Sequence, residues 1–140
     1  MTPDARRRED WPERLLAFAR SRERQPFVWG TNDCALFAAD AALAMTGHDF
    51  AAPFRGRYKT GLGAMKALRS NGAEDLAAYL TQALGAPIAP ALARRGDVVL
   101  FEAEGGPALG VVIGGQAAAA GRDGITWVPA SRWQQAWRVA

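Results

Sequence analysis

In FVWGTNDCALFAAD, residues 27–40, a tight polar turn leads directly into an apolar helix. Asn32 or Asp33 is suited to cap that helix, because a short polar side chain there accepts a bond from a free backbone N–H. The helix is predicted to run to about Met45 and is apolar almost all round, which is typical of a central helix. Cys34, the only cysteine, therefore lies at or near a helix N-terminus, where free N–H groups and the helix dipole favour a thiolate.

Helical patterns dominate the first half of the chain, and strand patterns dominate the second half. Three further helices are predicted, over residues 10–22 with a capping box at Asp10, over 61–70 with a cap at Thr60, and over 73–84. Glycine-rich turns then separate β-rich segments at 98–101, 109–113, 125–128 and 136–139, with QAAAA (116–120) completing a hairpin. Helices that precede an antiparallel meander predict the α+β class.

The composition limits the domain count and the kinds of site. A chain of 140 residues predicts one domain, which we place at residues 10–140 after a disordered basic tail at 1–9. A single cysteine excludes an internal disulfide, and a single histidine, His48, argues against a zinc site, so no metal and no cofactor are predicted.

The charge and the apolar runs indicate the setting. The net charge of +3 comes mostly from arginine, and the early arginines alternate with acidic residues, so a solvated surface is favoured over a nucleic-acid partner. The N-terminus has no apolar core typical of a signal peptide, and no run is long enough to span a membrane. We therefore expect a product that is made in the cytoplasm without a signal peptide.

Three segments of the chain occur in a characteristic order: DCAL (33–36), RGDVVLF (95–101) and ALGVVIG (108–114). Together they resemble the NlpC family of papain-like bacterial cell-wall cysteine peptidases and amidases. In that family a cysteine preceded by Asp begins a buried helix, a Gly-Asp pair opens a strand, and a histidine opens the next strand. The resemblance implies an NlpC-type fold, with N-terminal helices and a buried cysteine-led helix packed on a C-terminal antiparallel meander.

The chain departs from the family at the base that would activate the thiol. The residue matching the histidine is Ala108, and the third polar position falls on Ala119 or Ala120. Alternative bases are His48, which lies across a helix from the cysteine, Gln116 acting with a water, or a group from another chain. The resemblance thus implies a cysteine-peptidase-like protein with Cys34 as candidate nucleophile, and it leaves open whether the protein is an enzyme.

A narrower resemblance is to small proteins encoded among phage and prophage tail genes. It is based on three short motifs: Trp29-Gly30 followed by Asp33-Cys34, then TGHD (46–49), then RGRY (55–58). It implies a virion location at the tail tip, with other tail-tip proteins and peptidoglycan as partners. The candidate substrate-binding residues are Trp29, Asp33, Arg55, Arg57 and Tyr58. The alternative for Trp29 is a core or pocket-wall position, the alternative for Asp33 is a helix cap, and the alternative for the 55–58 segment is a solvated loop.

Two functions of different classes follow. The first is a structural or interaction module of the tail tip whose chemistry is weakened or lost. The second is an active peptidoglycan-cleaving cysteine peptidase or amidase used during genome entry, and a cytosolic thiol-dependent regulator is a third option. The first is favoured, because a missing base is harder to replace than a cysteine is to keep.

Overall fold

The computed structural model describes residues 6–140, which form four helices followed by five strands. The helices are α1 (Trp11–Arg22), α2 (Cys34–Thr46), α3 (Gly61–Ser70) and α4 (Leu76–Leu84). The strands are β1 (Val98–Ala103), β2 (Gly106–Ile113), β3 (Gln116–Gly121), β4 (Gly124–Pro129) and β5 (Trp133–Trp137). This order confirms the predicted α+β class. In the described part of the chain, no helix combines the length and the apolar character that crossing a membrane requires.

The five strands form one antiparallel sheet in the order β4-β3-β2-β1-β5. Side chains alternate between its two faces, as the pleat of a strand requires. On β1, Val98 and Leu100 join the large core under the helices, whereas Val99 and Phe101 join a smaller cluster on the opposite face. The sheet is therefore buried on both faces at its centre, which explains the unbroken apolar runs in its strands.

The sheet splits between its two central strands, and this split positions the candidate site. The β2–β3 ladder includes Val111↔Ala118 and then ends. From there β2 continues toward Gly106 paired only with β1, and β3 continues toward Gly121 paired only with β4. Helix α2 packs against both strands, so its N-terminus lies where they diverge.

Helix α2 is the centre of the fold because nearly all of its faces are apolar. Leu36, Phe37 and Ala38 are fully buried, and the alanines let neighbouring elements approach closely. Helix α1 packs alongside, with Phe18 against Phe37 edge to face at 5.0 Å between ring centroids. The burial of such a helix on every side agrees with the interpretation of its sequence pattern.

The helix caps agree with the sequence at two of three positions. The Asp33 side chain accepts a hydrogen bond from the Leu36 N–H and caps α2, and Thr60 caps α3 in the same way. The capping box predicted at Asp10 is wrong, because this carboxylate makes no cap bond and instead accepts one from Arg14 at 2.7 Å.

Several element boundaries differ from the prediction, and two of these differences have a clear structural cause. Helix α4 begins at Leu76 rather than at residue 73, because Asp75 supplies the cap that fixes its start. Strand β5 has the bounds given above rather than residues 136–139, because its pairing with β1 extends back to Trp133. The start of β5 is therefore set by its pairing with β1, which the local sequence pattern does not reveal.

The N-terminal segment is more ordered than the sequence predicts. The predicted tail covers residues 1–9, of which residues 1–5 lie outside the described residues. Arg7 donates from Nε to the Val139 carbonyl oxygen at 2.8 Å and from Nη2 to Asp97 Oδ1 at 2.9 Å. Asp97 is only 1% exposed, and a buried carboxylate needs a partner of opposite charge, which this segment supplies.

Replacing Arg7 by alanine is expected to lower the free energy of unfolding by about 3 kcal/mol, because it leaves the buried Asp97 carboxylate without its closest cation. The matched change Arg6→Ala, at an exposed neighbouring position, should cost less than about 0.5 kcal/mol. Urea unfolding of the two variants measures both values. Equal stability of the two variants would show that the Arg7–Asp97 pair does not hold the N-terminal segment.

Candidate active site

The Cys34 thiol lies in the first turn of α2, with its side chain turned toward the split in the sheet. The residue is 8% exposed, and its sulfur contacts the backbone N–H of Leu109 on β2. Leu109 lies beyond the end of the β2–β3 ladder, so no β3 residue is paired with it among residues 6–140. The structure therefore places Cys34 against the strand that the resemblance matched to the histidine-bearing strand.

The polar turn before α2 is held by one buried carboxylate. Asp33 Oδ2 accepts hydrogen bonds from the Tyr58 hydroxyl at 2.5 Å and from the Gly30 N–H at 3.0 Å, while Oδ1 caps the helix at 2.9 Å. Gly30 adopts φ +84°, and a Cβ there would collide with the Tyr58 carbonyl oxygen, so only glycine suits the turn. Asp33 and Tyr58 thus stabilise the turn that precedes Cys34, and neither side chain lines the cavity into which the thiol faces.

A groove of about 500 Å³ opens in front of Cys34. Ala108, Ala119 and Ala120 line it together with the cysteine, so the split in the sheet brings the predicted histidine position and the predicted third position to the thiol. All three carry only a methyl group. The remaining walls are aromatic side chains, small residues of the β1–β2 turn and the β3–β4 hairpin, and a few polar groups: Phe27, Trp29, Phe101, Ala103, Glu104, Gly105, Gly106, Pro107, Gly121, Arg122, Thr126 and Arg132.

The environment of Cys34 keeps its thiol protonated. Burial raises the pKa of the Cys34 thiol to about 11, and the negative charge of Asp33 acts in the same direction. Hydrogen bonding from the backbone N–H of Leu109 and from the start of the helix lowers the pKa but does not offset burial. Only about 10⁻⁴ of the thiol is then ionised at about pH 7, and the thiolate is the form that acts as a nucleophile.

The two alternative bases lie away from the groove. His48 follows the C-terminus of α2, while Cys34 begins that helix, so the two are separated by about 20 Å along the axis. Gln116 is exposed at the opposite end of β3 from the split, where it pairs with Ile113. Neither side chain lines the groove.

The predicted binding residues divide into two groups. Trp29 lines the groove and is 42% exposed. Arg55 instead bridges Asp49 at 2.8 Å and Asp40 at 2.7 Å, and Arg57 lines a separate depression beside α3. The structure thus brings Trp29 to Cys34 and leaves both arginines outside the groove.

The sequence interpretation did not identify several residues of the groove wall. Arg132 lies over the Phe101 ring at 5.5 Å and donates a hydrogen bond to the Glu102 carbonyl oxygen at 2.7 Å. Phe27 packs edge to face against Trp29 with ring centroids 4.9 Å apart. The sequence does contain one signal for this wall. The turn Gly105-Gly106-Pro107 directly precedes Ala108, so it must lie at the mouth of any site near that residue.

The groove offers little to a metal ion. Within residues 6–140, no three His, Cys, Asp or Glu side chains come together in a way that would hold one. The described part of the site contains one soft ligand atom, the Cys34 sulfur, and it is buried and protonated.

Comparisons with known proteins identify the family and the fold. A family model described as "Domain of unknown function (DUF6950)" matches residues 6–139. No curated protein matches the chain. Among solved structures, the chain is similar to RipD from Mycobacterium tuberculosis, described as a non-catalytic NlpC/p60 domain protein with adaptation to peptidoglycan-binding function. The two share 17% sequence identity and a TM-score of 0.50, over 95% of this chain and 100% of that chain.

An identity this low shows a shared fold and no more. The fold shared with an NlpC/p60 domain confirms the architecture that the three sequence motifs predicted, including the cysteine-led helix against the meander. The family match covers almost the whole chain. The protein therefore belongs to the DUF6950 family of domains of unknown function and is built on an NlpC/p60-type fold.

Proposed function

We propose that this domain binds peptidoglycan without cleaving it, as a module of a phage or prophage tail tip. The proposal is based on a buried thiol in a groove where the positions matched to the catalytic histidine and the third polar residue carry only methyl groups. A cysteine hydrolase needs a base within hydrogen-bond reach of its sulfur, and loss of general acid–base chemistry costs about 10²–10⁴-fold in rate.

The groove itself supports a binding role. It is concave and mostly apolar, with a few polar groups at its rim, which is the usual character of a ligand site. RipD, which has the same fold, is described as a non-catalytic protein adapted to peptidoglycan binding. We propose the same role, binding without cleavage, for this chain. The tail-tip setting is part of the proposal and is based on the three short motifs that resemble phage tail proteins.

A second function, an active peptidoglycan hydrolase, is favoured by one observation: Cys34 still begins a helix and still receives backbone N–H groups at its sulfur. Such an enzyme would need a base from another chain. It predicts release of soluble fragments by the assembled particle but not by the isolated chain, which separates it from the binding module.

Binding can be tested through Trp29, whose indole lines the groove and is 42% exposed. Trp29→Ala is expected to weaken co-sedimentation with purified peptidoglycan by about tenfold or more, because exposed aromatic anchors carry much of the energy of such contacts. Trp127→Ala is a matched control, because Trp127 is 47% exposed and does not line the groove. Equal effects of the two changes, or no binding by the unmodified protein, would contradict the proposal.

A further inference from the structure

Four arginines surround one buried carboxylate where β1 begins, and we call this cluster the Asp97 corner. Asp97 accepts a hydrogen bond from Arg7 Nη2 at 2.9 Å and one from the backbone N–H of Arg94 at 2.9 Å. The Arg138 guanidinium lies 3.6 Å from the same carboxylate, and Arg7 also donates to the Arg95 carbonyl oxygen at 2.8 Å. The contacts therefore hold the guanidinium groups of Arg7 and Arg138 and the backbone of Arg94 and Arg95 at one corner of the surface.

The Asp97 corner has an excess of positive charge. Four arginines lie close to one carboxylate, which is paired with the guanidinium groups of Arg7 and Arg138 and bonded to backbone N–H groups. Arg94 and Arg95 are exposed, and neither forms an ion pair with a carboxylate in the part of the chain that the structure describes. Arg138 is 49% exposed. Arg94 and Arg95 are thus available to an anionic partner, and the half-exposed Arg138 lies beside them with one carboxylate contact.

The surface beside the Asp97 corner is apolar. Leu92 ends the 3-10 turn Pro90–Leu92 two residues before Arg94 and is 57% exposed, and its neighbours Ala89 and Ala91 are exposed as well. A phosphate backbone has no apolar surface that would cover the Leu92 side chain. Arginine is enriched and lysine depleted in protein–protein contacts, so the arginines beside Leu92 suit a protein partner.

The Asp97 corner is also separate from the groove. Strand β1 begins beside Asp97 and ends at Ala103, which lines the groove. Six residues of extended chain span about 20 Å, so the two surfaces lie at opposite ends of β1. A partner at the corner would leave the groove open.

We propose that the Asp97 corner and Leu92 together form a docking surface for a partner protein whose matching face carries carboxylates around an apolar side chain. Arginine suits such a face, because its planar guanidinium can bond a carboxylate through two N–H groups at once. The proposal does not depend on what the groove binds.

The test measures binding of the full chain to a short synthetic peptide of alternating glutamate and leucine. The double change Arg94→Glu/Arg95→Glu is expected to weaken binding by about tenfold at low salt. A control with the same change in charge, Arg20→Glu/Arg24→Glu, alters exposed arginines near the end of α1 and should change binding by less than about twofold. Leu92→Ser should weaken peptide binding by about threefold, because it removes the apolar contact.

Three outcomes would overturn the proposal. Equal losses in the two double variants would mean that only the net charge matters. Tighter binding to a DNA duplex or to phosphatidylglycerol vesicles than to the peptide, unaffected by Leu92→Ser, would make the corner a polyanion surface. Absence of peptide binding by the unmodified protein would also reject it, because the unmodified corner already carries the charges and the leucine that the proposal invokes.

Discussion

Replacing Ala108 by histidine is expected to accelerate alkylation of Cys34 by iodoacetamide by about 10³-fold at about pH 7. Ala108 lines the groove beside the sulfur, and the next residue, Leu109, already contacts that sulfur through its backbone N–H. An imidazole at this position is placed to pair with the thiol. Ala108 is only half-buried, so the larger side chain has room toward the groove.

The size of this effect follows from the ionised fraction. With a pKa of about 11, the thiol of the unmodified protein should react about 100-fold more slowly than a thiol at the ordinary value of 9.0. A cysteine paired with a histidine has a pKa of about 3.5–7.5, so a large fraction of its thiol is ionised at about pH 7. The reaction rate of the unmodified protein should therefore rise with pH toward about 11, whereas that of Ala108→His should level off near neutral pH.

The control for Ala108→His places the same residue elsewhere on the sheet. Gln116→His adds an imidazole at the exposed end of β3, outside the groove, and should leave the alkylation rate unchanged. If Gln116→His accelerates the reaction as much as Ala108→His, the effect does not come from pairing with Cys34. If Ala108→His folds normally and shows no acceleration, Ala108 does not occupy the position of the catalytic base.

Replacing Asp33 by alanine is expected to lower the free energy of unfolding by about 3–4 kcal/mol. The change removes the cap of α2 and leaves the Tyr58 hydroxyl and the Gly30 N–H without their acceptor. Asp33 is 1% exposed, so water cannot readily replace the lost bonds. For a domain of this size, the melting temperature should fall by roughly 10 °C, which calorimetry or circular dichroism measures.

Two comparison variants separate the contributions of Asp33. Tyr58→Phe removes one donor and leaves the cap intact, so it should cost only about 1 kcal/mol. Asp33→Asn keeps one acceptor oxygen, so its loss in free energy of unfolding should lie between those of Asp33→Ala and Tyr58→Phe. If Asp33→Ala costs no more than Tyr58→Phe, Asp33 is not the group that holds the turn before Cys34.

Local sequence signals predicted the part of the fold that local chemistry decides. Asp33 and Thr60 were recognisable as caps because a short polar side chain before an apolar run satisfies a free N–H. The apolar residues around α2 predicted its central place, and the motif order predicted that Ala108 would lie near Cys34. These features depend on residues that are close in sequence or on a recognisable order of elements.

Features that depend on distant contacts could not be predicted in the same way. The basic composition of the N-terminus favoured a solvated tail, and only the structure shows that Arg7 pairs with Asp97, ninety positions further along the chain. The split between β2 and β3 likewise has no local signature, although it creates the groove. Arg55 looked like a binding residue from its loop, but Asp40 and Asp49 hold it elsewhere.

The proposed function requires that this groove bind peptidoglycan and that it have no base to cleave it. The most direct test incubates the purified protein with peptidoglycan and measures bound protein and released soluble fragments together, for the unmodified chain and for Cys34→Ala. We expect binding by both proteins and no fragment release by either. Fragment release by the unmodified protein that disappears in Cys34→Ala would contradict it.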